Sequence, residues 1–420
     1  MLKRMKNIKV FYLVYDSILN TVFDSQVLNY LVYLKKAGIS PELISFERNI
    51  KSENISSKLQ LIKNKQINVR LIKRLPFIGR LLLYPLARKL FFIIRDLITD
   101  EVIIIIHCRG QISTYIAIKA KRLLLKKCQN RLNVKIVGDI RGIIDEIRCS
   151  NWGWKWVFNE IRYHEAIKIE KLIYKQADGL SCVSYAMKKD LIDRFKLDPN
   201  KIIVVHCAVN KSLFNFRKDT RKKIRQEMNL KNDIVFVYSG SLAPWQAPNK
   251  LFTIMHKIKS VLPNSQFIIL TRDILVAKRY LEKNLYNNLT GFHILSADYL
   301  NVHTYLLAAD VGLLIREQNK INKIAFPTKY AEYLSCGLFI LSSDAVDDIV
   351  HYTNKYPLTG LIFHRSMDDN EEINELIRKI NSNELLSDKY RLLRSQIAVK
   401  EFSSDELFPK YLELYKKISI

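Results

Sequence analysis

Short apolar runs recur along the whole chain, each followed by a stretch of helical spacing, and no other feature limits its fold as strongly. Lys9–Tyr15, Glu42–Glu47, Val102–His107, Val134–Asp139, Gly179–Val183 and Lys201–His206 read as strands in the first half. Ile234–Gly240, Gln266–Leu270, Gly291–Ser296, Val311–Ile315 and Gly337–Ser342 continue the series. Apolar runs bounded on both sides are those of buried parallel strands, and their alternation with amphipathic helices specifies an α/β class. Ser25–Ala37 is one such helix, with Val27, Tyr30, Leu31 and Leu34 on one face and Gly38 at its end. Right-handed crossovers then place helices on both faces of each sheet.

Apolar runs such as Val102–Ile106 have strand length, so no membrane-spanning helix is expected. The basic, then apolar, start of the chain reads as a first buried strand rather than a cleaved leader, because Asp16 and Asn20 follow at once. Six cysteines (108, 128, 149, 182, 207 and 336) are scattered without metal-ligand spacing, which fits a reducing cytoplasm, with neither a metal nor a cofactor called for. The net charge is +27, of which +19 falls in residues 1–200 and +8 in residues 51–100 alone. Such asymmetry suits an anionic partner: nucleic acid, an anionic membrane surface or phosphorylated small molecules.

Residues 325–337, AFPTKYAEYLSCG, lead into the strand LFILSSD. Pro327 opens a helix where its missing N–H costs nothing. The amides of Thr328 and Lys329 then lie at a helix N-terminus, a ready anion site, and Lys329 adds a point charge suited to phosphate. Glu332 lies one turn on, within reach of a ribose hydroxyl pair, and Gly337 ends the helix. This outlines a site for a nucleoside diphosphate.

The run of Pro327, Lys329, Glu332, Tyr333, Leu334 and Gly337 resembles the P-x-K-x-x-E-Y-L-x-x-G of retaining GT-B glycosyltransferases of the group 1 kind, glycosyltransferase family 4. ADGLSCVSYAMKKDLIDRF with KIIVVHCAVNKSLF, IVFVYSGSLAPWQ, and the closing FSSDELFPKYLELY are similar to that family in order and spacing, so the resemblance spans nearly the whole chain. It implies a GT-B fold, two Rossmann-like parallel-sheet domains facing a central cleft, with a C-terminal helix crossing back to the first. The implied domains are an acceptor, membrane-facing domain over 1–210, a linker over 211–232, a donor domain over 233–400 and the returning helix over 401–420. It further implies transfer of a sugar, with retention, from a nucleotide-diphosphate sugar to a hydroxyl. The implied donor residues are Pro327, Thr328, Lys329 and Glu332, with the Ser239–Gly240–Ser241 loop on phosphate and sugar.

The chain also departs from that pattern. Ile324 stands where many members carry a first Glu, and Ser241 and Gln246 stand where many carry Arg and Lys. Arg272 and Arg316, at strand ends, are the substitutes for the missing cations, or are solvated arginines. The N-terminal Gly-rich loop is replaced by YDSILNTVFDSQV. In VGDIRGIIDEIR, Asp139 and Arg141 are catalytic candidates facing the cleft, where a carboxylate polarises the acceptor or an arginine meets phosphate. The alternative is an internal pair that shapes the loop. His107, ending IIIIH, is the third catalytic candidate, or a hydrogen-bonded structural histidine.

Within 63–95, Arg80, Arg88 and Arg95 fall in one stripe of about 80° among Leu and Phe, with Pro85 kinking or interrupting the helix. NWGWKWVF at 151–158 adds three tryptophans. Both suit an interface with anionic lipid or a lipid-linked acceptor, and both also suit an ordinary helix with a charged outer face. The reading is a cytoplasmic glycosyltransferase, peripheral on the inner face of the plasma membrane, acting on a lipid-linked or growing cell-surface polysaccharide. The competing reading is a non-catalytic GT-B scaffold or nucleotide-binding protein. A nucleic-acid partner is not expected, since no such signature accompanies the charge.

Overall fold

The computed structural model describes residues 8–20, 22–74, 77, 79–97, 102–127, 133–144, 156–230, 233–285, 290–364, 370–381 and 384–419. The chain forms two compact units, one of residues Met1–His206 with Leu407–Ile420, the other of Cys207–Glu406. The C-terminal helix thus crosses back to the first unit. Among the described residues, no helix is long and apolar enough to cross a membrane.

The first unit is built on seven parallel strands: β1 (Ile8–Val14), β2 (Pro41–Glu47), β3 (Asn68–Lys73), β4 (Ile103–Arg109), β5 (Val134–Ile140), β6 (Gly179–Cys182) and β7 (Ile202–Val204). Their order is β3-β2-β1-β4-β5-β6-β7, a Rossmann-like arrangement whose strand order reverses between β1 and β4. Ile104, Ile105 and Ile106 of β4 are fully buried, which is why this run lacks polar alternation. Each contributes about 1.5–3 kcal/mol on leaving water. The helix Pro409–Ser419 packs its Leu414 against Gly179, where an added Cβ would lie 3.0 Å from the leucine methyl.

The second unit repeats the plan with β8 (Val235–Ser239), β9 (Gln266–Leu270), β10 (Phe292–Leu295), β11 (Val311–Leu314), β12 (Phe339–Ser343) and β13 (Gly360–Phe363). The six parallel strands are ordered β10-β9-β8-β11-β12-β13, reversing between β8 and β11. Phe236, Phe267, Leu313 and Leu341 form its core with Leu251 and Met255 of the covering helix Pro248–Val261.

Several expectations are corrected. Asn68–Lys73 is an edge strand paired with β2, not part of a helix over 63–95; its polar alternation reflects its exposed position. Pro85 sits in the first turn of the helix Tyr84–Arg95 and opens it rather than kinking it. The helix at Ser25–Ala37 starts with a π-turn over Asp24–Leu28 and becomes α-helical only over Asn29–Lys36. β13 has no counterpart in the sequence reading, since a strand of four residues carries too little periodicity. Residues 211–232 include the helix Lys218–Glu227, whose Arg221 and Arg225 grip Asp310 inside the second unit. Residues 145–155 lie outside the described residues, as does most of the NWGWKWVF cluster.

Candidate functional site in the second unit

The carboxyl ends of β8 and β11, where the strand order reverses, bring the donor candidates together. In an open parallel sheet this crevice is where ligands bind. β8 ends at Ser239, whose amide donates to the Tyr333 hydroxyl at 2.8 Å. Gly240 follows at φ +142 and lies so close to Lys329 that a Cβ there would stand 2.7 Å from Cε and Nζ. Only glycine gives both that backbone and that approach. Ser241 is exposed, and its carbonyl accepts from the Tyr238 hydroxyl.

Pro327 caps the helix Thr328–Ser335, so Thr328 and Lys329 form its first turn. Lys329 bends back over the Tyr238 ring, 4.2 Å from its centroid, and donates to Gln246 Oε1 at 2.9 Å. Arg316, just past β11, is buried. Its amide donates to Ser343 Oγ at 2.9 Å and its guanidinium to Asn322 Oδ1 at 3.2 Å. Among the described residues no carboxylate lies within ion-pair distance of Lys329 or Arg316. Burial, then the charge of Arg316, hold the Lys329 ammonium well below its ordinary pKa. Burial likewise lowers Arg316. Glu332, one turn beyond Lys329, is also buried, and burial raises its carboxyl to about 7 against the opposing pull of Lys329.

Lys329 against the glycine loop, Arg316 and a carboxyl raised to about 7 within charge range of it, and a helix N-terminus therefore form one constellation. Such a constellation is suited to an anion bearing hydroxyls. Arg272 stands apart: it is exposed beyond β9, and among the described residues no hydrogen bond or ion pair joins it to these side chains. Tyr238, Gln246 and Asn322 join the site without having been singled out as ligands. Gln246, where the family pattern has a lysine, holds Lys329 in place.

The three catalytic candidates lie in the first unit and form a different kind of cluster. Asp139, 1% exposed, accepts from Arg141 Nε at 2.7 Å, Ser181 Oγ at 2.8 Å and the Tyr411 hydroxyl at 3.2 Å. Arg141 also donates to Tyr411 at 2.9 Å. His107 is fully buried, stacks on Tyr12, and shares a 2.6 Å hydrogen bond between Nδ1 and the Tyr415 hydroxyl. Burial holds its pKa down to about 4, so the ring is neutral near pH 7. Burial would raise Asp139, but Arg141, His107 and Arg109 outweigh it and keep the carboxylate ionised. Asp139 and His107 are buried and Arg141 is partly buried, and all three are turned to the tyrosines of the C-terminal helix, the arrangement of the internal pair and the structural histidine. Arg109, two residues beyond His107, was missed; it donates to Gln26 Oε1 of the π-turn at 2.6 Å.

Residues 25–213 match the family described as Glycosyltransferase Family 4, and residues 220–396 match Glycosyl transferases group 1. Among solved structures, a glycosyltransferase from Rickettsia africae superposes with a TM-score of 0.72 at 16% identity, covering 98% of both chains. Anabaena HepE in complex with UDP-glucose gives 0.70 at 13% identity, over 97% of this chain and 99% of that one. Sucrose-phosphate synthase from Thermosynechococcus elongatus gives 0.67 at 15%, over 98% of each. At these identities the likeness establishes the α/β GT-B fold. No curated protein matches the sequence at a significant level.

Proposed function

The chain belongs to the glycosyltransferases of the group 1, family 4 kind, and from that premise we propose that it moves a sugar, with retention, from a nucleotide-diphosphate sugar to a lipid-linked or growing cell-surface polysaccharide. The observation that carries the donor half is Lys329 held against Gly240 with Arg316 within charge range of it. In this reading Lys329, with the first-turn amides at Thr328 and Lys329, holds the diphosphate. The Ser239–Ser241 loop contacts phosphate and sugar, and Arg316 supplies the second positive charge. Fixed cations aimed at the leaving diphosphate lower the barrier where negative charge develops, and they need no reorganisation to do so. Gln246 and Asn322 orient the two cations. The clustering of Arg316 with Lys329 and Gln246 supports activity in a chain that lacks the family's usual Arg/Lys pair, and so weighs against the scaffold reading.

Glu332 is assigned to the ribose hydroxyls, which an ionised carboxylate accepts from best. Its carboxyl titrates at about 7, so donor KM is expected to fall as pH rises through that value. Glu332→Gln should raise KM roughly tenfold and flatten this pH dependence. The same burial makes a separate, opposite prediction for stability. A carboxyl raised above its unfolded value costs stability above that unfolded pKa, fully so above about 7. Glu332→Gln should therefore raise the Tm of the ligand-free protein at pH 8 while weakening the donor. A variant with unchanged KM at every pH sinks the ribose assignment.

The acceptor half rests on the basic excess of the first unit and on the family premise. A lipid-linked acceptor requires the enzyme to work at a membrane, and the proposed place is the cytoplasmic face of the plasma membrane, as a peripheral protein.

A further inference from the structure

The helix Tyr84–Arg95 buries Leu86, Ala87, Leu90, Phe91 and Ile94 against its own unit. Its opposite face presents Tyr84, Arg88, Phe92 and Arg95 at intervals of four, four and three, with Lys89 beside them. Tyr84 is 48% exposed and Phe92 44%. A polar face would ordinarily keep two large rings out of such positions. The short 3-10 turn Arg80–Leu83 precedes the helix and projects Leu81, 89% exposed, and Leu82, 41% exposed. A leucine left in water forgoes the stabilisation that burial of its apolar surface brings.

This tip is held rather than loose. Arg80 Nε donates to Glu165 Oε2 at 2.8 Å, and the Arg80 amide donates to the same oxygen at 3.2 Å. The Arg80 bonds pull the Glu165 carboxyl down to about 2. Leu81, Leu82 and Tyr84 also wall a groove shared with Tyr115 and Ile161, so the apolar surface continues past the tip. Within the helix the charge is of one sign. No acid occurs within the helix, Arg88 and Lys89 have no acidic partner among the described residues, and Lys127 lies over the Phe91 ring. Asp96 pairs with Arg95 at the helix end.

We propose that the Leu81–Leu82 tip and the Tyr84–Arg88–Phe92–Arg95 stripe form a docking surface for an anionic lipid bilayer. Leucines and aromatic rings enter the headgroup boundary, and the arginines and lysine meet lipid phosphate. A second copy of this chain is the poorer fit, because a two-fold contact would set cation against cation across the stripe. The inference deepens the membrane part of the proposed function, but it stands on this surface and not on the donor site.

The test is sedimentation of the full chain with vesicles of phosphatidylcholine alone and of phosphatidylcholine with one quarter phosphatidylglycerol. The protein is expected to pellet with the anionic vesicles, weakly with the neutral ones, and less as salt rises. Leu81→Glu/Leu82→Glu is expected to lower the bound fraction about tenfold. Both sites are exposed, so Tm and any nucleotide-induced shift should be unchanged, whereas Lys329→Ala should bind vesicles normally. Three results would overturn the proposal: no preference for anionic vesicles, equal binding by the double variant, or a dimer in solution that the double variant breaks without vesicle binding. None of these bears on the donor reading, which the nucleotide shift reports separately.

Discussion

Lys329→Ala is expected to lower kcat/KM for the sugar donor by roughly 10²–10³ while leaving the fold intact. The side chain is held by Gln246 and Tyr238 against Gly240, and among the described residues no carboxylate lies within ion-pair distance of it. Removing it takes away a charge that the ligand-free protein already disfavours. The same environment predicts a proton linkage. Burial and Arg316 favour the neutral amine in the empty site, whereas an arriving diphosphate favours the ammonium. Over a pH series, binding of a nucleoside diphosphate should therefore take up protons below the ordinary lysine range, measurable as a dependence of binding heat on the buffer's ionisation enthalpy. Lys329→Met should abolish that dependence. Heats identical across buffers for the unsubstituted protein would contradict the assigned role.

Asp310→Ala is expected to destabilise the second unit by about 3–5 kcal/mol, enough to unfold many domains of this size. Asp310 accepts from Arg391, from Arg221 Nη2 at 2.6 Å, from Arg225 Nη1 at 3.3 Å and from the Val235 amide at 2.7 Å. Arg221 also donates to the carbonyls of Leu307, Ala308 and Ala309, tying the helix Tyr299–Ala308 to the helix Lys218–Glu227. Burial alone would raise the Asp310 carboxyl, but Arg391, Arg221 and Arg225 outweigh it and keep its pKa below the ordinary value. A depressed carboxyl stabilises above its unfolded pKa, and that contribution is lost as pH falls through the folded value. Acid unfolding of the natural protein should thus include a step that is missing in Asp310→Asn, whose baseline stability is already lower. Chemical denaturation across pH checks both statements, and a loss under 1 kcal/mol would show that the three arginines find other partners.

The strands rich in isoleucine, valine and phenylalanine were legible because burial on both faces leaves one composition open to them. β3 was not, because an edge strand with Arg70 and Lys73 reads as polar helix when its neighbour is unknown. The charge-dense stretch around Arg221 and Arg225 reads as a connection for a similar reason: its acid partner, Asp310, is 89 and 85 residues away. In the candidate site, Pro327, Lys329 and Glu332 could be placed from local spacing, since one short helix carries all three. Gln246 and Asn322 could not, because their value lies in contacts across the fold, to Lys329 and Arg316. His107, Asp139 and Arg141 stand at strand ends, where sequence alone does not separate a ligand role from an internal pairing. Only the structure brings Tyr411 and Tyr415 from the other end of the chain to cover them.

The central claim is that the Lys329–Arg316–Glu332 constellation binds a nucleotide-diphosphate sugar and cleaves its bond to the diphosphate. The most direct measurement is a thermal-shift and donor-hydrolysis screen of the purified chain against nucleoside diphosphates and their sugar conjugates, run beside Lys329→Ala. The account predicts a Tm increase with one nucleoside diphosphate and slow release of that diphosphate from one sugar donor, both lost in the variant. A folded protein that shifts with none of them and releases nothing, or one whose response survives Lys329→Ala, would contradict it.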